Sequence, residues 1–421
     1  MLKNTLTVLR GTVVAQVLGF LALPLLTRLF TPEAFGQLQL YQVSMSLLLV
    51  VAAMRFEIAL LRATDGRELT ATLQLCSVIN LMVALCAALC WLAVQLLPVR
   101  LSDTTRQLLL WLPAGVLLGG AVQTLGYLAL RRKAFASGAN AKIAQAGGTV
   151  VGSVGIGILS PMSIGLVIGD LCGRLASIVT LCAHRGLFDA AFFKAPRKAD
   201  LWQAVRKYRE FPLVSMPGSL INTAGGTMTA LLMYGAFDAA IAGQYGLVER
   251  SLMLPVGMVA VAVSQVFSAD LSAGMRDGGS QALALYRGVV RRMLLLGIGP
   301  ALLVGLFAPL AFGLLFGSDW ALAGELARIM APLLLVSLVT GAVNMALTIL
   351  GWQKVQFGWD LTRLAAVSSA WWCIVHFGLP ATTAVGVHVA VSIGMSLLYL
   401  WLADHMLRRQ FSAEGPKPVE S

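Results

Sequence analysis

The sequence predicts an all-α polytopic membrane protein, with twelve transmembrane helices arranged as two six-helix lobes. Three observations carry this. The 421-residue chain is 58% hydrophobic and only 12% charged, where soluble domains are about a quarter charged. Its apolar runs are continuous and roughly 20 residues long, the length a helix needs to cross ~30 Å of hydrocarbon, without the short alternation of a membrane β-barrel. The chain also matches itself after a shift of 207 residues. Gly11 then meets Gly218, Thr12 meets Ser219, Leu25 meets Leu232, and Phe30 meets Phe237. Further on, Gly36-Gln37 meets Gly243-Gln244, Leu40 meets Leu247, and Ser44 meets Ser251. Apolar matches are cheap in such a chain, but the Gly-Gln pair is not. Six spans per copy is an even number, so both copies face the same way, a parallel repeat about an axis along the membrane normal.

The first span, about 8–30, follows a basic start, MLKNTLTVLRG, with no small-residue cleavage site after a short apolar core. It is therefore expected to be an uncleaved helix, not a signal peptide. It contains Pro24 and ends near Arg28. The second span, 38–61, closes on MRFEIALLRA, with Arg55 and Glu57. Spans three to six fall at 72–98, 107–130, 142–159 and 162–184. The fifth is rich in glycine (GGTVVGSVGIG), which suits close helix packing. No strand precedes it, so it is not a phosphate loop. The sixth holds Asp170 and Arg174.

Residues 185–210 form the longest hydrophilic connection. Spans seven to twelve follow at 211–235, 240–266, 289–316, 325–350, 357–377 and 381–405. The expected organisation is an N-lobe over 1–190, an inter-lobe linker over 191–207, a C-lobe over 208–410 and a disordered tail over 411–421. The link 267–288 is expected to lie on the membrane surface as an amphipathic segment.

With the N-terminus inside, nearly every loop lysine and arginine falls on the cytoplasmic side. The outer segments hold only Arg28, Arg100 and Arg106. The positive-inside rule puts both termini in the cytoplasm. The +12 net charge is then explained by this asymmetry and by anionic headgroups, with no nucleic-acid partner. The six cysteines all lie in apolar runs with neither metal-ligand nor disulfide spacing, and the four histidines show no ligand spacing. No metal site is expected.

Charge inside the membrane marks the candidate site, because it is expensive there. Arg250 lies about nine residues, or ~13 Å, into the eighth span, too deep to snorkel easily. Its neighbour Glu249 points about 100° away on a helix. Arg55 and Glu57 are i, i+2, which on a helix do not face each other. Arg55 could instead snorkel to the inner headgroups, and Arg28 could anchor at the outer interface. Asp170 and Arg174, at i, i+4, read as a self-neutralising structural ion pair. Arginine matches phosphate oxygens bidentately, so deep arginines point to an anionic headgroup. Arg55, Arg250 and Arg28 are the candidate diphosphate ligands. Glu57, Glu249 and Asp170 are the candidate coupling acids, serving a proton or sodium gradient; no other cofactor is implied. Pro24, Pro212, Pro217 and Pro255 interrupt helical hydrogen bonding and are the candidate hinges.

KYREFPLVSMPGSLIN, followed by GQYGLVERSLMLPVGMVAVAVSQVF, resembles the start of the second half of bacterial oligosaccharide flippases. These are the Wzx-type polysaccharide biosynthesis proteins of the multidrug/oligosaccharidyl-lipid/polysaccharide (MOP) exporter superfamily. In the first half, LPLLTRLFTPEAFGQLQLY resembles that family's first hairpin, and MRFEIALLRA resembles its second-span ending. The resemblance implies a MATE-like, V-shaped bundle whose first, second, seventh and eighth helices flank a central cavity. It implies transfer of undecaprenyl-diphosphate-linked sugar units across the bacterial inner membrane. It also implies work alongside a glycan polymerase and a chain-length regulator. Related lipid II flippases usually carry two extra C-terminal helices that this sequence lacks, which points to O-antigen, capsule or exopolysaccharide precursors.

Two other readings stay open. One is a MATE-type drug or cation antiporter; such proteins generally place a coupling acid in the first helices, and here the first span has none. The other is a membrane glycan polymerase, ligase or glycosyltransferase. Short outer loops count against an enzyme.

Overall fold

A computed structural model describes residues 2–96, 103–160, 162–184, 186–188, 192, 197–276 and 281–412. Among the described residues every regular element is helical. The first part of the chain contributes α1 (Leu2–Leu29), α2 (Pro32–Val51), the one-turn α3 (Phe56–Ala59), α4 (Arg67–Leu96), α5 (Asp103–Leu109), α6 (Leu112–Arg131), α7 (Phe135–Leu159), α8 (Ser163–Cys182) and α9 (Lys198–Lys207). There follow α10 (Met216–Ala236), α11 (Ala239–Val248), α12 (Leu254–Arg276), α13 (Ala282–Phe316), α14 (Ala321–Ala342), the one-turn α15 (Ala346–Ile349), α16 (Gln353–His376) and α17 (Ala381–Ser412). Two π-helical turns, Phe211–Ser215 and Glu249–Met253, lead into α10 and α12. The chain divides into two compact units, Met1–Gly243 and Gln244–Ser421.

Ten segments are long and apolar enough to cross a membrane, and they account for ten of the twelve expected spans. The seventh and eleventh fall on α10 and α16, which are long enough but too polar for that selection. Asn222, Thr223, Thr227 and several glycines dilute α10, and Lys354, Asp360 and Arg363 interrupt α16. The proposed surface segment 267–288 is not a separate element among the described residues: α12 runs on to Arg276, and α13 starts at Ala282. The amphipathic helix is α9 instead, inside the hydrophilic linker. Ala204 faces the core, whereas Trp202 is 60% exposed with the Arg206 guanidinium 5.8 Å from its ring centre. The tail beyond Ser412 lies outside the described residues.

The first hairpin turns at Thr31. Its hydroxyl accepts a hydrogen bond from the Ala34 amide at 3.4 Å, and Pro32 supplies a preset φ at the first helical position. At the matching place 207 residues on, the Asp238 carboxylate accepts from the Ile241 amide at 2.7 Å. The two caps therefore fall in the same register as the sequence repeat. The Gly-Gln pairs explain themselves in the same way. A Cβ built on Gly36 would lie 1.8 Å from the Ala239 carbonyl oxygen, and one built on Gly243 would lie 1.8 Å from the Pro32 carbonyl oxygen. Pro32 and Ala239 are themselves 207 apart, so the contact of α2 with α11 is reciprocal and locally two-fold. Gln244 spends its amide within the second unit: it donates to the Asp319 carbonyl at 2.6 Å and accepts from the Ala323 amide at 2.8 Å.

Glycine also sets the α7–α8 contact. Cβ atoms on Gly169 and Gly173 would fall 2.0 Å from the hydroxyls of Ser153 and Thr149. With no hydrophobic drive between helices in lipid, small residues that let backbones approach supply packing instead. The glycine-rich run of the fifth span is therefore a helix-packing surface.

The stretches MRFEIALLRA and KYREFP, far apart in sequence, pack together. Ala53, Phe56, Ala59, Leu75, Cys76, Ala204, Tyr208 and Phe211 form one buried cluster. Its polar edge is tied down. The Tyr208 hydroxyl donates to Glu68, Lys207 Nζ lies 2.6 Å from the same carboxylate oxygen, and Arg62 pairs with Glu210. The hydrogen bond to Glu68 raises the Lys207 pKa above lysine's ordinary value. Burial, then the bond to Glu68, raises that of Tyr208.

Candidate functional site

The second expected span, 38–61, is not one helix. α2 stops at Val51, and Met54 and Arg55 take left-handed φ values of 48° and 65°. L-residues adopt that region at a cost, so such a pair marks a specified break. The break corrects the expectation for Arg55 and Glu57. On a continuous helix i, i+2 side chains diverge. Here the reversal brings Arg55 Nη1 to 3.7 Å from Glu57 Oε1. Glu57 is 1% exposed and Arg55 20%. Gln123, on α6, donates from Nε2 to Glu57 Oε1 at 3.2 Å. Burying a carboxylate is costly unless it is paired and hydrogen-bonded, and Arg55 and Gln123 are the partners the fold supplies.

Arg28 sits exposed in the last turn of α1. Pro24 lies inside that helix, where the Thr27 hydroxyl donates to the Pro24 carbonyl at 3.1 Å. Asp170 and Arg174 pair on α8, with Arg174 Nε donating to Asp170 Oδ2 at 2.6 Å. The Tyr41 hydroxyl donates to the same oxygen at 3.4 Å. The Arg174 guanidinium lies in a notch on α6, where a Cβ on Gly119 would come within 2.3 Å of it. Removing one partner of a buried ion pair strands the other charge. Arg174→Met is therefore expected to destabilise by about 3 kcal/mol or more. Adding Asp170→Leu should restore part of the loss, checked by a double-mutant cycle on melting in detergent.

In the second unit, Glu249 and Arg250 open the π-turn Glu249–Met253, and both are half-buried. Tyr245 hydrogen-bonds to Glu249. The two π-turns have one cause. The residue just before a proline, Met216 before Pro217 or Leu254 before Pro255, donates its amide to the carbonyl five residues back. Proline has no N–H and crowds the carbonyl four residues back, so the ladder widens by one residue there. Pro212 lies within the first of these turns. Such π-bulges are frequent at functional sites.

Gln123 and Tyr41 belong to the polar groups around Glu57 and Asp170, and the sequence reading passed over both. A glutamine in the otherwise apolar GGAVQTLGYLAL was the available signal for the first. Tyr41 carried none, since tyrosine is common near span ends.

A family model described as polysaccharide biosynthesis protein matches residues 25–324. No curated protein matches the chain. Among solved structures, an inward-facing multidrug resistance MATE family transporter of the MOP superfamily is similar with a TM-score of 0.71 at 13% identity, covering 97% of this chain and 100% of that one. The lipid II flippase MurJ in an inward closed conformation is similar with a TM-score of 0.69 at 15% identity, covering 99% and 94%. A MATE transporter from Vibrio cholerae follows with a TM-score of 0.57 at 14% identity, covering 99% of both chains. At these identities the likeness is one of fold.

Proposed function

The chain belongs to the polysaccharide biosynthesis protein family, and from that premise we propose that it is a flippase for undecaprenyl-diphosphate-linked oligosaccharide. It would move an O-antigen, capsule or exopolysaccharide repeat unit from the inner to the outer leaflet of the bacterial cytoplasmic membrane by alternating access. The observation that carries the reading is the family match over residues 25–324, which takes in Arg28, Arg55 and Arg250. The lobes over 1–190 and 208–410, joined by 191–207, and the cytoplasmic placement of both termini belong to the same proposal. So does the absence of catalysis.

Arg55 and Arg250 are the proposed ligands of the diphosphate, and Arg28 assists on the outward path. Their guanidinium groups offer paired donors that match phosphate oxygens. The lipid tail stays in the bilayer throughout. The π-turns ahead of Pro217 and Pro255, with Pro24 and Pro212, are the proposed flexing points. Glu57, Glu249 or Asp170 carries the coupling proton or sodium ion. A glycan polymerase and a chain-length regulator are the proposed partners on the outer side.

Purified protein in proteoliposomes, given a fluorescent diphosphate-linked oligosaccharide, tests this. Arg250→Ala at equal protein level is expected to slow flipping by about tenfold or more, the scale of a lost hydrogen bond to a charged group. An unchanged rate and apparent affinity would remove Arg250 from the site.

A further inference from the structure

We infer that Glu57 and Gln123 form a proton-binding site whose occupancy sets whether Arg55 is free to meet an anion. A carboxylic acid and a carboxamide can form a closed pair with two hydrogen bonds: amide N–H to acid oxygen, and acid O–H to amide oxygen. One arm is present, Gln123 Nε2 donating to Glu57 Oε1 at 3.2 Å. The other arm would join Glu57 Oε2 to Gln123 Oε1. These two atoms are both buried, and among the described residues neither has a hydrogen-bond partner. Two acceptors cannot bond to each other. A proton added to Glu57 Oε2 turns it into a donor, converts the carboxylate to a neutral acid, and gives Gln123 Oε1 a group to accept from.

The surroundings favour this chemistry. Glu57 is 1% exposed, and the cation beside it, Arg55, stands at 3.7 Å, longer than a normal hydrogen bond. α3 packs against α4, α6 and the π-turn Phe211–Ser215. From α4 the titratable group facing Glu57 is the buried Cys76 thiol. The other charged groups of these elements are Arg67, exposed at the start of α4, and Glu68 and Arg131, which are engaged elsewhere. Glu68 holds Lys207, Thr64 and Tyr208, Arg62 holds Glu210, and Arg131 holds the Ala63 carbonyl and Asp65. Once Glu57 is neutral, Arg55 loses the counter-charge that stands at its side. Its guanidinium, 20% exposed on a left-handed break, is then available to a phosphate oxygen. Uptake of one proton at Glu57 and of one anion at Arg55 are coupled. The Arg55 half of this inference rests on the diphosphate reading above; the proton site does not.

Infrared titration of the reconstituted protein tests the proton site directly. On lowering the pH, the wild type is expected to gain the carbonyl band of a buried, protonated carboxylic acid. Glu57→Gln should lose that band. Gln123→Leu should move it to the higher frequency of an acid that donates no hydrogen bond. Absence of the band in wild type, or its survival in Glu57→Gln, would overturn the inference. Farnesyl diphosphate serves as the anion probe in the second arm. Wild-type binding should weaken about tenfold per pH unit above the titration midpoint, the slope of one coupled proton. Glu57→Gln, whose amide can still donate to Gln123 Oε1, should bind with no such slope. If wild type binds no farnesyl diphosphate at any pH while the infrared result holds, the diphosphate reading fails and the proton site stands.

Discussion

Arg55→Ala is expected to lower flipping by about 10- to 100-fold, with the larger part appearing as weaker apparent affinity for the lipid-linked glycan. The range follows from one or two lost hydrogen bonds to a charged group, each about 1.5–3 kcal/mol. Two features make this site more sensitive than a surface arginine. The left-handed backbone at Met54 and Arg55 fixes where the side chain starts. The substitution also leaves Glu57, 1% exposed, without its nearby cation. The second effect has its own signature: Arg55→Ala should favour a protonated Glu57, so residual flipping should lose its dependence on pH. Arg55→Lys keeps the charge but not the paired donors, and should fall between wild type and alanine. Transport initial rates against substrate concentration at two pH values would separate these effects. Equal kinetics for all three proteins would exclude a substrate role for Arg55.

Gly243→Leu and Gly36→Leu are expected to have the largest effect on stability. Each glycine has a backbone carbonyl 1.8 Å from where its Cβ would sit. A backbone atom cannot rotate aside as a side chain does, so α2 and α11 would have to separate. Overpacking against movable side chains costs about 1–3 kcal/mol, and here the cost should sit at or beyond the top of that range. The reciprocal geometry adds a sharper expectation. Gly36→Ala and Gly243→Ala should cost nearly the same, because each Cβ meets the symmetry-matched atom of the other copy. Melting of each variant in detergent checks both statements. A mild effect from either leucine variant, or very different effects from the two alanine variants, would contradict the two-fold contact.

Much of this arrangement was legible in the sequence because membrane helices write it there plainly. Continuous apolar runs placed the helices, and the shared Gly-Gln pair gave the register on which the caps at Thr31 and Asp238 and the glycine crossing fall. Span prediction strained where polar residues dilute a helix, at α10 and α16. The site was less legible. Hydropathy does not reveal that α2 ends at Val51, since MRFEIALL is as apolar as a span ending should be. The left-handed turn at Met54 and Arg55 sits where Phe56 and Ala59 cluster with Tyr208 and Phe211 from a stretch far along the chain. For that reason helical spacing wrongly separated Arg55 from Glu57. Gln123, the partner of Glu57, is distant in sequence and could be found only once α6 was placed beside α3. The prolines were read as interruptions; that they widen the ladder into π-turns ahead of Pro217 and Pro255 depends on the helices resuming at once.

Substrate competition distinguishes a diphosphate-linked glycan from an organic cation as the cargo. Proteoliposomes holding the wild-type protein would be loaded with a fluorescent undecaprenyl-diphosphate oligosaccharide, and its appearance in the opposite leaflet followed with time. Protein-dependent flipping is expected, inhibited by unlabelled prenyl diphosphates and not by lipophilic cations. Protein-dependent movement of the cations, with the glycan lipid left in its original leaflet, would contradict this and make the chain a drug or cation antiporter.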